Sequence, residues 1–82
     1  MSKLVSLTSS GWTEISSSVR GMMQNTDVDP FIYRAETAAP LASVNYGHVL
    51  KSNQKELWTF YGGEKIYGRA LFSDINIVVT EG

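Results

Sequence analysis

The sequence predicts an all-β domain: a single small antiparallel β-sandwich, or a jelly-roll-like barrel, of about eight short strands. Three observations predict it. Apolar and polar residues alternate over short runs. Clusters of turn-forming residues interrupt those runs every several positions. No window of about a dozen residues carries the i, i+3, i+4, i+7 apolar stripe of a helix free of Gly, Pro or β-branched clusters.

In chain order, Lys3 to Thr8 is a first strand, closed by the turn Ser9-Ser10-Gly11. Trp12 to Ser16 is a second and Val19 to Asn25 a third, with Ser16-Ser17-Ser18 between them. Asn25-Thr26-Asp27-Val28-Asp29-Pro30 is a turn, because Asn and Asp side chains bond nearby backbone and Pro30 fixes φ. Phe31 to Glu36 is a fourth strand, with Phe31, Tyr33 and Ala35 on one face and Ile32, Arg34 and Glu36 on the other. Thr37 to Gly47, rich in small residues and holding Pro40, is expected to be a loop crossing between sheets, with at most one helical turn. His48 to Lys51 is a short fifth strand, and Ser52-Asn53-Gln54 a polar turn. Glu56 to Tyr61 and Lys65 to Phe72 are expected to pair as a hairpin across Gly62-Gly63. Asp74 to Thr80 is the last strand, with Ile75, Ile77 and Val79 sharing a face.

A chain of 82 residues forms one domain, spanning 1–82. At this size the core is thin, and small scaffolds add disulfides, a metal or a partner subunit. The chain has no cysteine and one histidine, so disulfides, thiolate sites and imidazole clusters are excluded. Self-association or docking onto a larger body is the remaining support. Seven basic residues against eight acidic ones, scattered singly, lack the basic patch of a nucleic-acid binder. No run approaches the roughly 20 apolar residues of a membrane helix. The segment Met1-Ser2-Lys3-Leu4-Val5 lacks the form of a secretory signal, and a cytosolic product is expected.

Motifs for catalysis or cofactors are missing. His48 would need a nucleophile and an orienting acid to act as a general base, and no Gly-x-Ser-x-Gly elbow accompanies it. Asp27-Val28-Asp29 resembles a fragment of a calcium loop but lacks the further oxygen ligands, whereas an Asx turn before Pro30 accounts for it. Gly62-Gly63-Glu64-Lys65 lacks the spacing of a phosphate loop. No enzyme and no cofactor is expected.

Two groups remain as candidate binding residues. Trp12, Trp58, Phe60, Tyr61 and Tyr67 belong to a core, to a protein interface or to a sugar-stacking platform. Alternation puts Trp58 and Phe60 on one face and Leu57, Thr59 and Tyr61 on the other. Arg34 and Arg69 lie within strands. Each is either an outward salt-bridged residue, with Glu14, Glu36 or Asp74 as partner, or an interface anchor. The partner-binding candidates are therefore Arg34, Arg69, Trp58, Tyr61 and Tyr67, with Lys3 to Thr8 or Asp74 to Thr80 as an open sheet edge.

The order of these elements resembles the small β-sandwich accessory proteins of tailed bacteriophage virions. The resemblance lies in Gly11-Trp12-Thr13-Glu14-Ile15, Gln24-Asn25, Ile32-Tyr33-Arg34-Ala35-Glu36, the Pro-containing loop and Gly47-His48-Val49-Leu50. It continues through Leu57-Trp58, Ile66-Tyr67-Gly68-Arg69-Ala70 and the closing Val79-Thr80-Glu81-Gly82. It implies a capsid decoration or cement protein, assembled into the virion in the host cytoplasm. The implied partners are the major capsid protein or tail proteins, and the chain itself as a homo-oligomer. A tail or fibre component, or a carbohydrate-binding module for host recognition, is the alternative.

Overall fold

The computed structural model describes residues 2–82. Its strands are β1 (Ser2–Leu7), β2 (Thr13–Ser16), β3 (Arg20–Gln24), β4 (Phe31–Glu36), β5 (His48–Leu50), β6 (Lys55–Thr59), β7 (Lys65–Ala70) and β8 (Ile75–Glu81). Each coincides with one expected run to within two residues at either end. The described residues contain no helix.

The strands form two four-stranded antiparallel sheets, a front sheet ordered β1-β8-β3-β6 and a back sheet ordered β2-β7-β4-β5. Four antiparallel pairs are nested in the chain: β1 with β8, β2 with β7, β3 with β6, β4 with β5. This is the connectivity of a jelly roll. Three expectations about pairing are corrected by it. Glu56 to Tyr61 and Lys65 to Phe72 are not a hairpin, because β6 lies in the front sheet and β7 in the back one. Gly63, at φ 81°, instead turns the chain from one layer to the other. The Thr37 to Gly47 loop joins two strands of the same sheet. Of the two runs expected as an open edge, Lys3 to Thr8 is one, as β1, and the last strand is not, since β8 lies between β1 and β3.

Inward side chains of both sheets build the core. Leu7, Met23, Ile75, Ile77, Val79 and Trp58 come from the front sheet and meet Phe31, Leu50, Ile15, Ile66 and Ala70 from the back. Gly21 lets the Trp58 ring lie directly on the backbone. A Cβ there would stand 2.6 Å from the ring and 2.7 Å from the Thr80 carbonyl oxygen. Asn25 is the buried polar exception, and it is fully used. Its Nδ2 donates to the carbonyls of Asp29 and Leu50, and its Oδ1 accepts from the Asp27 N–H in an Asx turn.

The two sheets differ on their outer faces. On the back sheet Ile32 and Tyr67 are buried although they point away from the core. The β4–β5 loop lies over this face. Trp12 Nε1 and Arg69 both donate to the Val44 carbonyl, Arg69 also bonds that of Ala42, and Arg34 bonds that of Tyr46. Among the described residues, no loop covers the front sheet in this way. Leu4 and Leu57 stand there, each 71% exposed.

Candidate functional site

The five candidate binding residues do not form one site. Trp58 is only 6% exposed and donates from Nε1 to the Ser18 carbonyl inside the core. Tyr67 is buried beneath the β4–β5 loop face. Tyr61, 95% exposed at the β6–β7 turn, is free to meet a partner. The alternation that set Trp58 and Phe60 against Leu57 and Tyr61 is reproduced: Phe60 packs on the core, while Leu57 and Tyr61 face out. A shared sugar platform of Trp12, Trp58, Phe60, Tyr61 and Tyr67 is therefore not formed, since Tyr61 is the one of the five that is exposed.

Arg69 has no carboxylate partner of the kind expected from Glu14 or Asp74. Its guanidinium donates to three backbone carbonyls, those of Ser9 (3.1 Å from one terminal nitrogen and 3.2 Å from Nε), Ala42 (2.6 Å) and Val44 (3.0 Å). It clasps the β1–β2 and β4–β5 loops together. Arg34 does pair with Glu36, at 2.8 Å, and its guanidinium lies 4.5 Å from the centre of the Tyr46 ring. Both arginines serve the loops that cover the back sheet. A guanidinium fork satisfies several carbonyls at once, which a lysine does not.

The uncovered surface lies instead on the front sheet. Its outward side chains are in register across all four strands. Leu4 faces Val78, and Met22 faces Leu57, with Val78 and Met22 diagonal to one another across β8 and β3. Leu4, Val78, Met22 and Leu57 thus form an apolar stripe flanked by Ser2, Ser6, Gln24, Lys55, Thr59 and Thr80. A shallow groove of about 290 Å³ runs at its lower end between Arg20, Met22, Leu57 and Gly82. Sequence reasoning set Leu57 only on the face opposite Trp58 and missed the stripe, because it depends on which strands neighbour each other.

A second feature borders the first. The layers approach closely on one side, where β1 and β8 meet β2 and β7 and Ser16 Oγ donates to the Glu81 carboxylate. That hydrogen bond, with one from Lys3, holds the Glu81 carboxyl below its ordinary value. On the opposite side, between β6 and the β4–β5 edge, the seam is open. A cleft of about 300 Å³ there is lined by Tyr33, Ala35, His48, Glu56, Trp58, Phe60 and Ile66. The Tyr33 and His48 rings lie 5.4 Å apart. Burial, then the Glu56 carboxylate, push the Tyr33 hydroxyl above its ordinary value.

Asp27-Val28-Asp29 lies in a turn in which the Asp27 N–H donates to Asn25 Oδ1 and the Val28 N–H to Asp27 Oδ1. Among the described residues, no group of three or more His, Cys, Asp or Glu side chains converges. Comparison with protein-family models, curated proteins and solved structures finds no match to this chain.

Proposed function

We propose that this chain is a non-enzymatic binding module that docks on a larger protein assembly through the outer face of its front sheet. The observation that carries the reading is the apolar stripe Leu4–Val78–Met22–Leu57, exposed at its two ends and half-buried between them, on a sheet whose counterpart is covered by its own loop. Contiguous exposed apolar surface marks interaction sites on small soluble domains. The polar groups that sequence reasoning singled out are occupied in holding loops, which fits a scaffold that presents a surface.

The assembly we propose is a bacteriophage virion, with many copies decorating and cementing the capsid. A tail or fibre position is the alternative. This step rests on the resemblance of the sequence elements, since a jelly roll alone hosts many unrelated functions. Weak contacts repeated over a symmetric shell add through multivalency, so a thin domain with one modest patch suffices. Self-association of the copies belongs to the same reading.

Co-sedimentation with the virion whose genome encodes the chain tests it, using particles stripped of their own copies. Purified wild-type chain should pellet with particles at a fixed ratio to the capsid protein. The Leu57→Asp and Leu4→Asp variants should remain folded by circular dichroism and stay in the supernatant. Wild-type chain left in the supernatant, or variants that pellet equally well, would refute the proposal. Analytical sedimentation of the chain alone measures the self-association.

A further inference from the structure

We infer that the free edge of β6, with the open seam behind it, is a groove for one added strand: an extended segment of a partner protein carrying Lys or Arg opposite Glu56. The inference rests on the protein-binding reading above and names the surface and the partner's chemistry.

The backbone argument comes first. In an antiparallel pair, hydrogen-bonded residues alternate with residues whose N–H and C=O point the other way. Phe60 N–H donates to the Val19 carbonyl, and Asn25 N–H to that of Gln54, at the two ends of the β3–β6 ladder. With the register Arg20↔Thr59 to Gln24↔Lys55, the pairs Gly21–Trp58 and Met23–Glu56 bond to each other. The backbone groups of Lys55, Leu57 and Thr59 therefore face the free edge. The other edges are less receptive. β2 is four residues long and bulged between Glu14 and Ser16, and β5 has three residues. β1 borders the side where the layers already meet. β6 keeps an unbroken register over five residues without Pro, which leaves it open to strand addition.

The side chains then select the occupant. A strand added to β6 directs alternate side chains into the cleft beside Trp58, Phe60 and Ile66, which suits apolar residues. Glu56 lines the same cleft. The ion pairs among the described residues are Lys3–Glu81, Arg34–Glu36 and Lys65–Glu14, and Glu56 is in none of them. Covering a carboxylate without a cation is costly. A second copy does not supply one. Two β6 strands related by a two-fold axis at Leu57 place Glu56 opposite Trp58 of the other copy, with Lys55 on the outer face. A partner strand with a basic residue in that place completes the site.

Selection of displayed random ten-residue peptides against the purified chain, followed by amide hydrogen exchange on the complexes, tests the inference. Enriched peptides should alternate apolar residues and carry Lys or Arg at one fixed position. In the complex the amides of Lys55, Leu57 and Thr59 should exchange at least about tenfold more slowly. The Glu56→Gln variant should bind the same peptides roughly tenfold more weakly, and Glu56→Lys should select Asp or Glu at that position. No enrichment, enrichment without a basic position, or protection elsewhere overturns the inference. So does protection of the same amides that rises with protein concentration in the absence of peptide, which indicates self-pairing. Particle binding with these three amides still exchanging freely overturns this inference alone and leaves the docking reading standing.

Discussion

Asn25 is completely buried and ties three segments together: the β3–β4 turn through Asp27 and Asp29, the end of β5 through Leu50, and the β5–β6 turn through the backbone of Asn53 and Gln54. Asn25→Ala keeps the backbone bonds to Asn53 and Gln54 but strands the side-chain partners at Asp27, Asp29 and Leu50, and should cost about 3 kcal/mol. For a domain of this size that lowers Tm by at least ~10 °C, read by thermal unfolding. Gly21→Ala should also destabilise, by roughly 1–3 kcal/mol, because the Thr80 carbonyl on one side is backbone that cannot retreat. Glu81 gives a pH signature. Its carboxyl sits below the ordinary value near 4.5, through Ser16 and then Lys3. A depressed folded-state pKa contributes stability above the unfolded value, and that stability is lost as pH falls through the folded one. Denaturant unfolding from pH 6 down to pH 3 should therefore show a steeper loss in wild type than in Glu81→Gln. At this scale alternation was legible: the pleat alone sets Leu57 and Trp58 on opposite faces, while the packing of the two sheets decides that Trp58 is the one that faces the core. The role of Arg69 was not, because its partners are carbonyls of loops 25 to 60 residues away.

The loop of residues 37–47 is the element that distinguishes the two faces. It lacks regular structure and is held by hydrogen bonds from Trp12, Arg34 and Arg69. Arg69→Lys should release it, since one ammonium cannot reach carbonyls of both Ser9 and Val44 in the fork geometry seen here. Amide exchange across residues 41–46 should accelerate while the core strands keep their protection. Equal exchange in wild type and variant would show that the loop holds without the clasp. The strands themselves were legible to within two residues, since period-two runs and turn clusters are local signals. Their pairing was not. Gly62-Gly63 carries the chemistry of a tight turn, but a turn says nothing about whether the strands it joins share a sheet. The jelly roll pairs β3 with β6 and β2 with β7 across long stretches of chain, and only the summed burial of both layers selects that arrangement.

The whole molecule is a two-layer scaffold with unequal sides. One outer face is covered by its own loop. The other presents an apolar stripe, and the β6 edge beside it opens onto an acidic-rimmed cleft. The sequence reading anticipated a sandwich that binds by its surface but looked for the surface on aromatics and arginines, the residues richest in interface energy. Here those residues were needed inside: 82 residues leave little core, so Trp58 and Tyr67 are spent on burial and Arg34 and Arg69 on loops. The most direct test of the central claim is amide hydrogen exchange on the chain bound to assembled particles. Docking by the front sheet predicts added protection of the β1 start around Leu4, whether or not β6 is protected with it, and no change on the loop-covered back sheet. Protection confined to residues 37–47 and the back sheet, with β6 and Leu4 exchanging as in the free protein, would contradict it.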